Sequence, residues 1–278
     1  MKWCSALGDV EKARTPAVSL AAQPTTFDDD LMSRIEDASL NASAPPQQRW
    51  LDGWLVRYNA GKARRSRSIN AVAVGRFPLE QKLKLAAALF DAAGLPLVFR
   101  ITSFSQPVGL DAGLAALGFV LVDPTDVLVC TALPAAGLPW AAAGTAWESL
   151  NGAAYAQAVG ALRGSTPAEC EAHAQRLAES PVPYQGFAVR REGDGQMLAC
   201  GQMAVESDLV GLYDVFTDPE ARGQGLAQQL CERMLSMAVS QGAHTAYLQV
   251  QGDNFSAQRV YQRLGFARAY GYHYRQPR

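Results

Sequence analysis

The sequence predicts an α/β (α+β) protein made of two tandem domains. The 278-residue chain is long for one ordinary domain and long enough for two, each with its own core. Residues 132–145 are rich in Ala, Gly and Pro and nearly free of charge, as expected for an interdomain linker. The segment ALGF at 116–119 also corresponds to RLGF at 263–266, each following a similar strand, which indicates a duplicated unit. The expected parts are a flexible lead-in at 1–24, a first domain at 25–131, the linker at 132–145 and a second domain at 146–278.

The composition excludes several functional classes. With 25 Lys and Arg against 26 Asp and Glu, and a pI near 6.3, no overall field attracts nucleic acid or a membrane. No apolar run approaches the roughly 18 residues of a membrane helix, and the N-terminus acquires charge too early for a signal peptide. The five cysteines include no CxxC pair and no histidine at metal-ligand spacing, which predicts reduced thiols and no metal site. We therefore expect a cytoplasmic protein that binds neither nucleic acid nor membranes.

In the first domain the elements follow from periodicity and boundary residues. An acidic helix is expected within 25–43, before Pro45. Alternating runs on either side of 59–61 predict a hairpin, and the basic cluster KARRSRS lies on its second strand, with Arg65 and Arg67 on one face. That cluster fits a solvated hairpin as well as a site for an acidic substrate. The later elements are the helix PLEQKLKLAAALFDAAG, the strand PLVFRIT, the helix GLDAGLAALGF and the strand VLVDPTDVLVCTA.

The second domain has the predicted order ααβββαβαβ. Its first two helices are SLNGAAYAQAVGALRG and TPAECEAHAQRLAES, and Thr166 and Glu169 form a capping box in the second. The segments YQGFAVRREG and QMLACGQMAVES form a hairpin around the turn at 192–195. The remaining elements are the strand LVGLYDVFT, a helix that ends near Gly242, the strand TAYLQVQG, the helix NFSAQRVYQRLGF and the strand ARAYGYHYRQ.

The junction DVFTDPEARGQGLAQQL, residues 214–230, is a candidate anion site. An apolar strand passes through the loop at 222–225 directly into an amphipathic helix. The first amides of a helix lack intrahelical partners, and glycine lets the backbone approach a ligand closely. The junction therefore favours a phosphate or pyrophosphate, although an ordinary turn with a solvated arginine gives the same local pattern. The loop lacks the Lys-Ser/Thr of a P-loop.

Two motifs in the second domain together resemble those of the GCN5-related N-acetyltransferase (GNAT) family. The turn meets the family signature R/Q-x-x-G-x-G/A with Arg222, Gly225 and Ala227. The later motif is met by Asn254, Ala257, Tyr261, Leu264, Gly265 and Phe266. The resemblance covers 146–278 closely and 25–131 as a degenerate copy. It implies two tandem GNAT-like domains, as in mycothiol synthase, each with a mixed, mostly antiparallel twisted sheet flanked by helices.

The resemblance implies acetyl-CoA as the acyl donor and no metal. It places the pantetheine arm along the edge of the strand that contains Val215, splayed from the strand at 246–250. A backbone N–H near Val215 or Phe216 would act as oxyanion donor, and the first amides of the following helix would bind the pyrophosphate. The implied cofactor-binding residues are Val215, Phe216, Thr217, Arg222, Gly223, Gln224, Gly225, Leu226, Ala227, Gln228, Asn254, Ala257 and Tyr261.

The catalytic candidates are Tyr261, Asp214 and Glu206. Many GNAT enzymes place at the position of Tyr261 the acid that protonates the departing thiolate, although packing alone also explains an aromatic residue there. Gly211 stands where some members carry a glutamate, so the base or amine anchor is sought at Asp214 or Glu206, either of which also fits a surface position. Tyr213 is a third candidate, which strand alternation puts on the face of Val215 and Gly211, whereas Asp214 reaches the site only if the strand is bulged.

Other polar residues leave alternatives open. Asn254 fits both a helix N-cap and a pantetheine ligand. His173 and His244 fit solvated helix and loop positions, whereas His273 fits either sheet packing or a substrate contact.

The first copy is not expected to bind acetyl-CoA productively. Its equivalent of the pyrophosphate turn is GRFPLEQK, where Pro78 removes an N–H and Glu80 would repel phosphate. Leu114 takes the position of Tyr261. We expect this domain to pack on the second and to help shape the acceptor cleft.

The sequence thus predicts an acetyl-CoA-dependent N-acetyltransferase, monomeric or homodimeric, that acts by direct attack in a ternary complex. The expected acceptor is a small-molecule amine or amino acid, which the extra domain favours. One alternative is a peptide N-terminus, as in the ribosomal-protein acetyltransferases. Another alternative is a non-catalytic acyl-CoA-binding regulator.

Overall fold

The computed structural model describes residues 26–59 and 63–278. The predicted lead-in at 1–24, Cys4, Lys62 and most of the turn at 59–61 therefore lie outside the described residues. The helices are α1 Asp29–Ala42, α2 Leu79–Ala92, α3 Leu110–Ala116, α4 Gly152–Arg163, α5 Pro167–Ala178, α6 Leu226–Ser240 and α7 Phe255–Arg263. The strands are β1 Gln48–Leu51, β2 Trp54–Arg57, β3 Ile69–Ala71, β4 Phe99–Thr102, β5 Val120–Cys130, β6 Thr145–Leu150, β7 Tyr184–Arg191, β8 Met197–Glu206, β9 Leu209–Thr217, β10 Thr245–Gln251 and β11 Ala267–Gln276. Short 3-10 helices occupy Arg64–Ser66 and Pro219–Ala221.

All of these strands belong to one mixed sheet. Their order across the sheet is β1-β2-β3-β4-β11-β5-β10-β9-β8-β7-β6. Two neighbouring pairs are parallel, β3 with β4 and β9 with β10, and the other pairs are antiparallel. The predicted α/β (α+β) class with a mostly antiparallel sheet is confirmed.

The two halves of the chain exchange their last strands. β5 ends the first half but lies between β10 and β11 of the second, and β11 lies between β5 and β4. One buried cluster accordingly unites Ile35 and Val98 with Leu209 and Tyr247. The predicted domain boundaries divide the chain by residue number, whereas the sheet and this core are each built from both halves. The division into two copies stays a prediction about their origin.

The segment predicted as a linker crosses α6 to reach the far edge of the sheet. The Leu138 amide donates to the Ser236 hydroxyl (2.8 Å), and the Arg233 side chain donates to the Leu138 carbonyl. Trp140 packs on Trp147 of β6, with ring centroids 5.7 Å apart. These contacts fix the path of the segment against α6.

Several predicted boundaries are confirmed by the observed caps. Thr166 and Glu169 form both bonds of the capping box of α5. In the β7–β8 turn, Gly193 and Gly195 have positive φ angles of 99° and 70°, which glycine adopts without steric cost.

The prediction missed β1 and β6 and was wrong about KARRSRS. Residues 64–66 form a 3-10 turn, because the amide and hydroxyl of Ser66 both donate to the Ala63 carbonyl, at 3.0 and 2.8 Å. Arg65 and Arg67 are therefore not placed by strand alternation. β6 was assigned to the linker and to the start of α4, since its six residues include Ala, Glu and Ser, which are not strong strand formers.

Candidate active site

The parallel strands β9 and β10 diverge along their length. Their pairing covers Leu209–Leu212 and Thr245–Leu248, after which the strands continue separately to Thr217 and Gln251. The backbone of β9 after Leu212 therefore faces a gap in the sheet. The predicted edge at Val215–Thr217 lies along this gap.

A β-bulge interrupts β9 at the gap. Gln202 pairs with Tyr213 and Cys200 pairs with Phe216, so Asp214 and Val215 together oppose Gly201. Asp214 has φ +49°, a left-handed conformation that is uncommon for a non-glycine residue.

The bulge changes which side chains share a face of the sheet. Asp214 joins Tyr213 on the side of α4 and α5, where it contacts Arg163. Val215 points to the other side, toward α6, where its methyl group lies 3.4 Å from the Cβ position of Gly201. The bulge that Asp214 needs to reach this side is present. Simple alternation, which puts Val215 on the face of Tyr213, fails here because the bulge adds one residue.

The loop after β9 presents unpaired amides at the start of α6. Gly223 and Gly225 have φ angles of 78° and 76°, and Arg222–Gly225 is exposed. No side chain caps the helix, and the first helical bond runs from the Gln229 amide to the Gly225 carbonyl (3.1 Å). The amides of 226–228 thus remain free of backbone partners, as at any uncapped helix N-terminus. Ala227 and Gln228 are partly exposed, whereas Leu226 is buried in the core.

Helix α7 lies beside α6 and carries the second motif. The Asn254 side chain accepts from the Ala257 amide (3.1 Å), so the capping role is confirmed. Tyr261 is half-buried, with its ring centroid 5.9 Å from that of Phe266, and its hydroxyl makes no hydrogen bond to the described part of the chain. Burial, together with the nearby Cys231 thiol, raises the pKa of Tyr261, so its phenol stays protonated.

The Asp214 carboxylate lies among polar groups from three other elements. It accepts from Gln202 of β8 (3.0 Å) and from Arg163 of α4 (3.4 Å). His173 and Arg176 of α5 approach it to 3.6 and 4.0 Å.

The charge states of this cluster follow from burial and from the arginines. Burial, with Arg176 nearby, lowers the pKa of His173 to about 4, so His173 is neutral at pH 7. The expectation of a solvated His173 is wrong, since its Nε2 is buried without a hydrogen bond. Burial disfavours the ionised form of Asp214, but Arg163 and Arg176 outweigh it and hold the pKa of Asp214 below its ordinary value. Asp214 is therefore ionised and weakly basic.

Glu206 is the last residue of β8 and lies beside the start of β9, at the end away from the gap. It pairs with Leu209 in the β8–β9 hairpin, and its side chain accepts from Asn41 of α1 (2.8 Å). Leu209 and Asp214 are five residues apart, roughly 16 Å along a strand. The structure therefore brings Asp214, but not Glu206, to the gap.

Tyr213 occupies the space that a side chain at position 211 would need. A Cβ on Gly211 would lie 2.5 to 2.7 Å from the Tyr213 ring and hydroxyl. The Tyr213 hydroxyl in turn bonds the Tyr247 hydroxyl (2.7 Å). A glutamate at position 211 is thus incompatible with this packing.

Of the other two histidines, His244 lies at an exposed loop position, and His273 packs within the sheet. His244 is exposed, and its amide donates to the Asp208 carbonyl. His273 approaches Asp111 of α3 to 2.8 Å. His273 therefore packs within the first half and away from the gap.

The equivalent turn in the first half is occupied by a side chain of the protein. β3 and β4 are parallel for only two residue pairs, and the loop from β3 to α2 follows. Asp52 accepts from the amides of Arg76 and Phe77 at 2.8–2.9 Å, with Lys82 Nζ 3.6 Å away. Leu114, opposite Tyr261, is fully buried. Asp52 could not be recognised from the sequence, because Asp52 precedes the turn by more than 20 residues.

Sequence reasoning also missed the polar groups around Asp214. Tyr155 of α4 donates to the Asp214 carbonyl (2.9 Å), and Arg163, His173 and Arg176 surround its carboxylate. These residues lie on two helices without a shared motif, so no spacing in the sequence links them to position 214.

The chain is similar to known acetyltransferases in sequence. Residues 156–266 match the model of the Acetyltransferase (GNAT) family. The chain is 26% identical over 233 residues to the uncharacterized N-acetyltransferase YobR of Bacillus subtilis, covering 82% of this chain and 91% of YobR. It is 32% identical over 154 residues to the mycothiol acetyltransferase of Paenarthrobacter aurescens, covering 50% and 46% of the two chains. It is 32% identical over 76 residues to the ribosomal protein bS18-alanine N-acetyltransferase of Escherichia coli, covering 27% and 51%.

Solved structures share the fold. A GCN5-related N-acetyltransferase from Kribbella flavida superposes with a TM-score of 0.66 at 21% identity, covering 88% of this chain and 95% of that one. A tandem GNAT protein from the clavulanic acid biosynthesis pathway gives 0.56 at 14% identity, covering 70% and 66%. The similarity to N-acetyltransferases supports an acyltransferase enzyme, and the fold is shared with a tandem GNAT protein. Residues 156–266 are thus similar to the acetyltransferases of the GNAT family.

The described part of the chain contains no helix that is both long and apolar enough to cross a bilayer.

Proposed function

We propose that this protein transfers the acetyl group of acetyl-CoA to the primary amine of a small molecule, in a site formed by the second half. The observation that carries the proposal is the divergence of β9 from β10 toward an uncapped helix N-terminus. This arrangement offers a strand edge for a peptide-like pantetheine arm and free amides for a pyrophosphate. One continuous path along β9 and α6 thus meets both needs of coenzyme A.

The cofactor roles follow the path of the coenzyme. The amides of 223–228 bind the pyrophosphate, and the edge at 215–217 pairs with pantetheine. Arg222, exposed at the loop, contributes charge. Asn254 and Ala257 border the coenzyme from α7, with Tyr261 near its sulfur.

The reaction is a direct acyl transfer. The amine nitrogen attacks the thioester carbonyl carbon, the C–N bond forms and the C–S bond breaks. The N–H of Val215 stabilises the developing oxyanion. Water takes one proton from the acceptor ammonium before the attack and a second from the nitrogen after it, while Tyr261 gives its proton to the departing thiolate and regains one from solvent. Asp214, ionised and weakly basic, attracts the acceptor ammonium, and Glu206 has no part in this scheme.

A small acceptor is favoured by the position of the first half. Arg65, in the 3-10 turn of that half, donates to Gln249 of β10 and lies 5.8 Å from the Tyr213 ring. The first half thereby borders the side of the gap on which Asp214 lies. Its position there restricts the access of a folded protein acceptor to Asp214. A protein N-terminus remains the second candidate because of the similarity to the bS18-alanine enzyme.

A screen for acetyl-CoA-dependent thiol release tests the proposal. Small amines, amino acids and peptides with free N-termini are supplied to the full chain, and release is compared with that from acetyl-CoA alone. We expect turnover of at least one small amine and little release with peptides. Turnover of peptides alone would show that the acceptor is a protein N-terminus. Coenzyme binding without any turnover would show that the protein is a non-catalytic acyl-CoA-binding regulator.

A further inference from the structure

Three guanidinium groups converge on the acceptor side of the gap. Arg163 comes from α4, Arg176 from α5 and Arg65 from the 3-10 turn of the first half. Each lies against an aromatic ring of the cluster, at 5.3 Å from Phe216, 5.9 Å from Tyr184 and 5.8 Å from Tyr213, respectively. The Tyr184 and Tyr213 rings are themselves 5.2 Å apart, so Arg65 and Arg176 flank one ring pair.

These cations lack close anionic partners among the described residues. Ion pairs with hydrogen bonds are normally about 2.7–2.9 Å long. Asp214 is 3.4 Å from Arg163 and 4.0 Å from Arg176, and Arg65 donates to the neutral amide oxygen of Gln249. Three positive charges thus share one carboxylate at long distances.

The neighbouring polar groups do not supply a further negative charge. His173 is neutral, and burial raises the pKa of Tyr184 and Tyr213, which keeps their phenols protonated. Gln202 is 1% exposed and bonds Asp214 through its Nε2, while its Oε1 is buried without a partner. Three guanidinium groups around one carboxylate leave a surplus of positive charge in this partly buried cluster, and a bound anion would compensate that charge.

We propose that the acceptor carries an anionic group, carboxylate or phosphate, in addition to its amine, and that Arg65, Arg163 and Arg176 bind this group. The inference rests on the proposed function and names the class of its substrate. Asp214 attracts the ammonium end, and the guanidinium groups around it bind the anionic end with the planar fork that suits carboxylate and phosphate. Because Arg65 belongs to the first half, that half contributes directly to acceptor recognition.

Matched acceptor pairs test the proposal in the full chain. The standard amino acids are compared with their C-terminal amides, and phosphoethanolamine with ethanolamine, by acetyl-CoA-dependent thiol release. We expect one charged acceptor to exceed its neutral counterpart in kcat/KM by about tenfold to a hundredfold, as for hydrogen bonds to charged groups. Preference within the amino-acid pairs identifies a carboxylate, and preference within the phosphoethanolamine pair identifies a phosphate.

Substitutions identify the residues responsible. Arg65→Gln and Arg176→Gln should each lower kcat/KM for the charged acceptor by about tenfold or more, with little change for its neutral counterpart. Arg65→Lys, which retains the charge, should recover part of the loss, and this recovery separates recognition from misfolding. Arg191→Gln is the matched control, since Arg191 pairs with Asp194 at the exposed β7–β8 turn.

The outcomes separate this inference from the proposed function. Equal turnover of charged and neutral amines, or unchanged preference in both glutamine variants, would overturn the anionic acceptor and leave acetyl transfer intact. Absence of thiol release with every acceptor would contradict both.

Discussion

The backbone of Asp214 decides what the strand edge presents to a thioester. Its carbonyl and the N–H of Val215 belong to one planar peptide unit and point in opposite directions. Tyr155 donates to that carbonyl from the side of α4, so the N–H is directed away from α4. Tyr155 is fully buried and fits because Gly186 lacks a Cβ, which would lie 2.8 Å from the tyrosine ring. A buried hydroxyl thus fixes the proposed oxyanion donor.

Tyr155→Phe should reduce turnover without reducing coenzyme affinity. The variant removes one buried hydrogen bond, which we expect to cost about 1 kcal/mol of unfolding free energy. Loss of alignment at Val215 should lower kcat by about tenfold, less than the removal of an oxyanion donor. Kinetics and calorimetric acetyl-CoA titration measure the two effects. An unchanged kcat in a measurably destabilised variant would assign Tyr155 to packing alone.

Tyr261→Phe tests the proton donor. Its phenol has no partner in the described part of the chain, so the substitution leaves no buried group unsatisfied. We expect kcat to fall by about a hundredfold, within the range for a general acid, with the Kd for acetyl-CoA unchanged. Near-normal turnover in this variant would show that Tyr261 only packs against its neighbours and is not the proton donor.

At the scale of elements, the strand-to-helix junctions of the two halves differ in the partners of their backbone amides. The α6 junction exposes free amides, whereas the α2 junction binds the Asp52 carboxylate through two amides. Lys82, 2% exposed, adds bonds to the carbonyls of Asp52 and Val74 (2.7 and 3.0 Å). The first copy thus satisfies its anion site internally.

Gly225→Glu and Gly225→Ala together test the α6 junction. Both variants bear the strain of a side chain at positive φ, about 1 kcal/mol, and the open space around Gly225 accommodates a Cβ. Only glutamate adds a negative charge near the pyrophosphate, which should weaken acetyl-CoA binding by about a hundredfold or more. Calorimetry on both folded proteins gives the comparison. Equal affinities in the two variants would refute the site.

Asp52→Asn tests the internal ligand of the α2 junction. Backbone bonds from Phe77 and Arg76, with Lys82, lower the pKa of Asp52 from 3.8. A carboxyl with a lowered folded-state pKa stabilises the protein above its unfolded pKa, and this contribution is lost as the pH falls through the folded value. Urea midpoints of Asp52→Asn should therefore be lower than those of the natural protein at pH 7, and the difference should shrink as the pH falls through the lowered pKa of Asp52. A constant difference across this range would rule out a role for the charge.

At the scale of the whole molecule, the exchanged strands couple the halves. A chain without residues 1–135 would lack β5 and expose the edges of β10 and β11. Unpaired strand edges favour aggregation. We expect the fragment 136–278 to be insoluble or unfolded alone and to form a soluble complex when coexpressed with 1–135, as judged by gel filtration and circular dichroism. A folded monomeric fragment with unchanged acceptor kinetics would contradict both this coupling and the role of the first half.

Local signals in the sequence predicted most elements and the coenzyme motifs. Short stretches of sequence were enough to predict the helix caps, the turn at 192–195 and the junction at 222–225, because each of these features depends on neighbouring residues. β6 was missed because its residues are weak strand formers and only its pairing with β7 decides its conformation. The 3-10 turn at 64–66 was missed because local bonds from Ser66 to Ala63 replace the alternation of a strand. Glu206 was as plausible a candidate as Asp214, since both are carboxylates near β9; only the bulge at Asp214 and the divergence of β9 from β10 distinguish them.

The sequence by itself determined the mixed α/β class, and it located the candidate anion-binding junction before α6 and the second motif from Asn254 to Phe266, because each depends on residues close together along the chain. The tertiary structure decided the exchange of β5 and β11, the Asp52 ligand and the convergence of Arg65, Arg163 and Arg176 on Asp214. These features join residues that are distant in sequence, and their geometry is set by sheet order and side-chain packing, which no local pattern encodes.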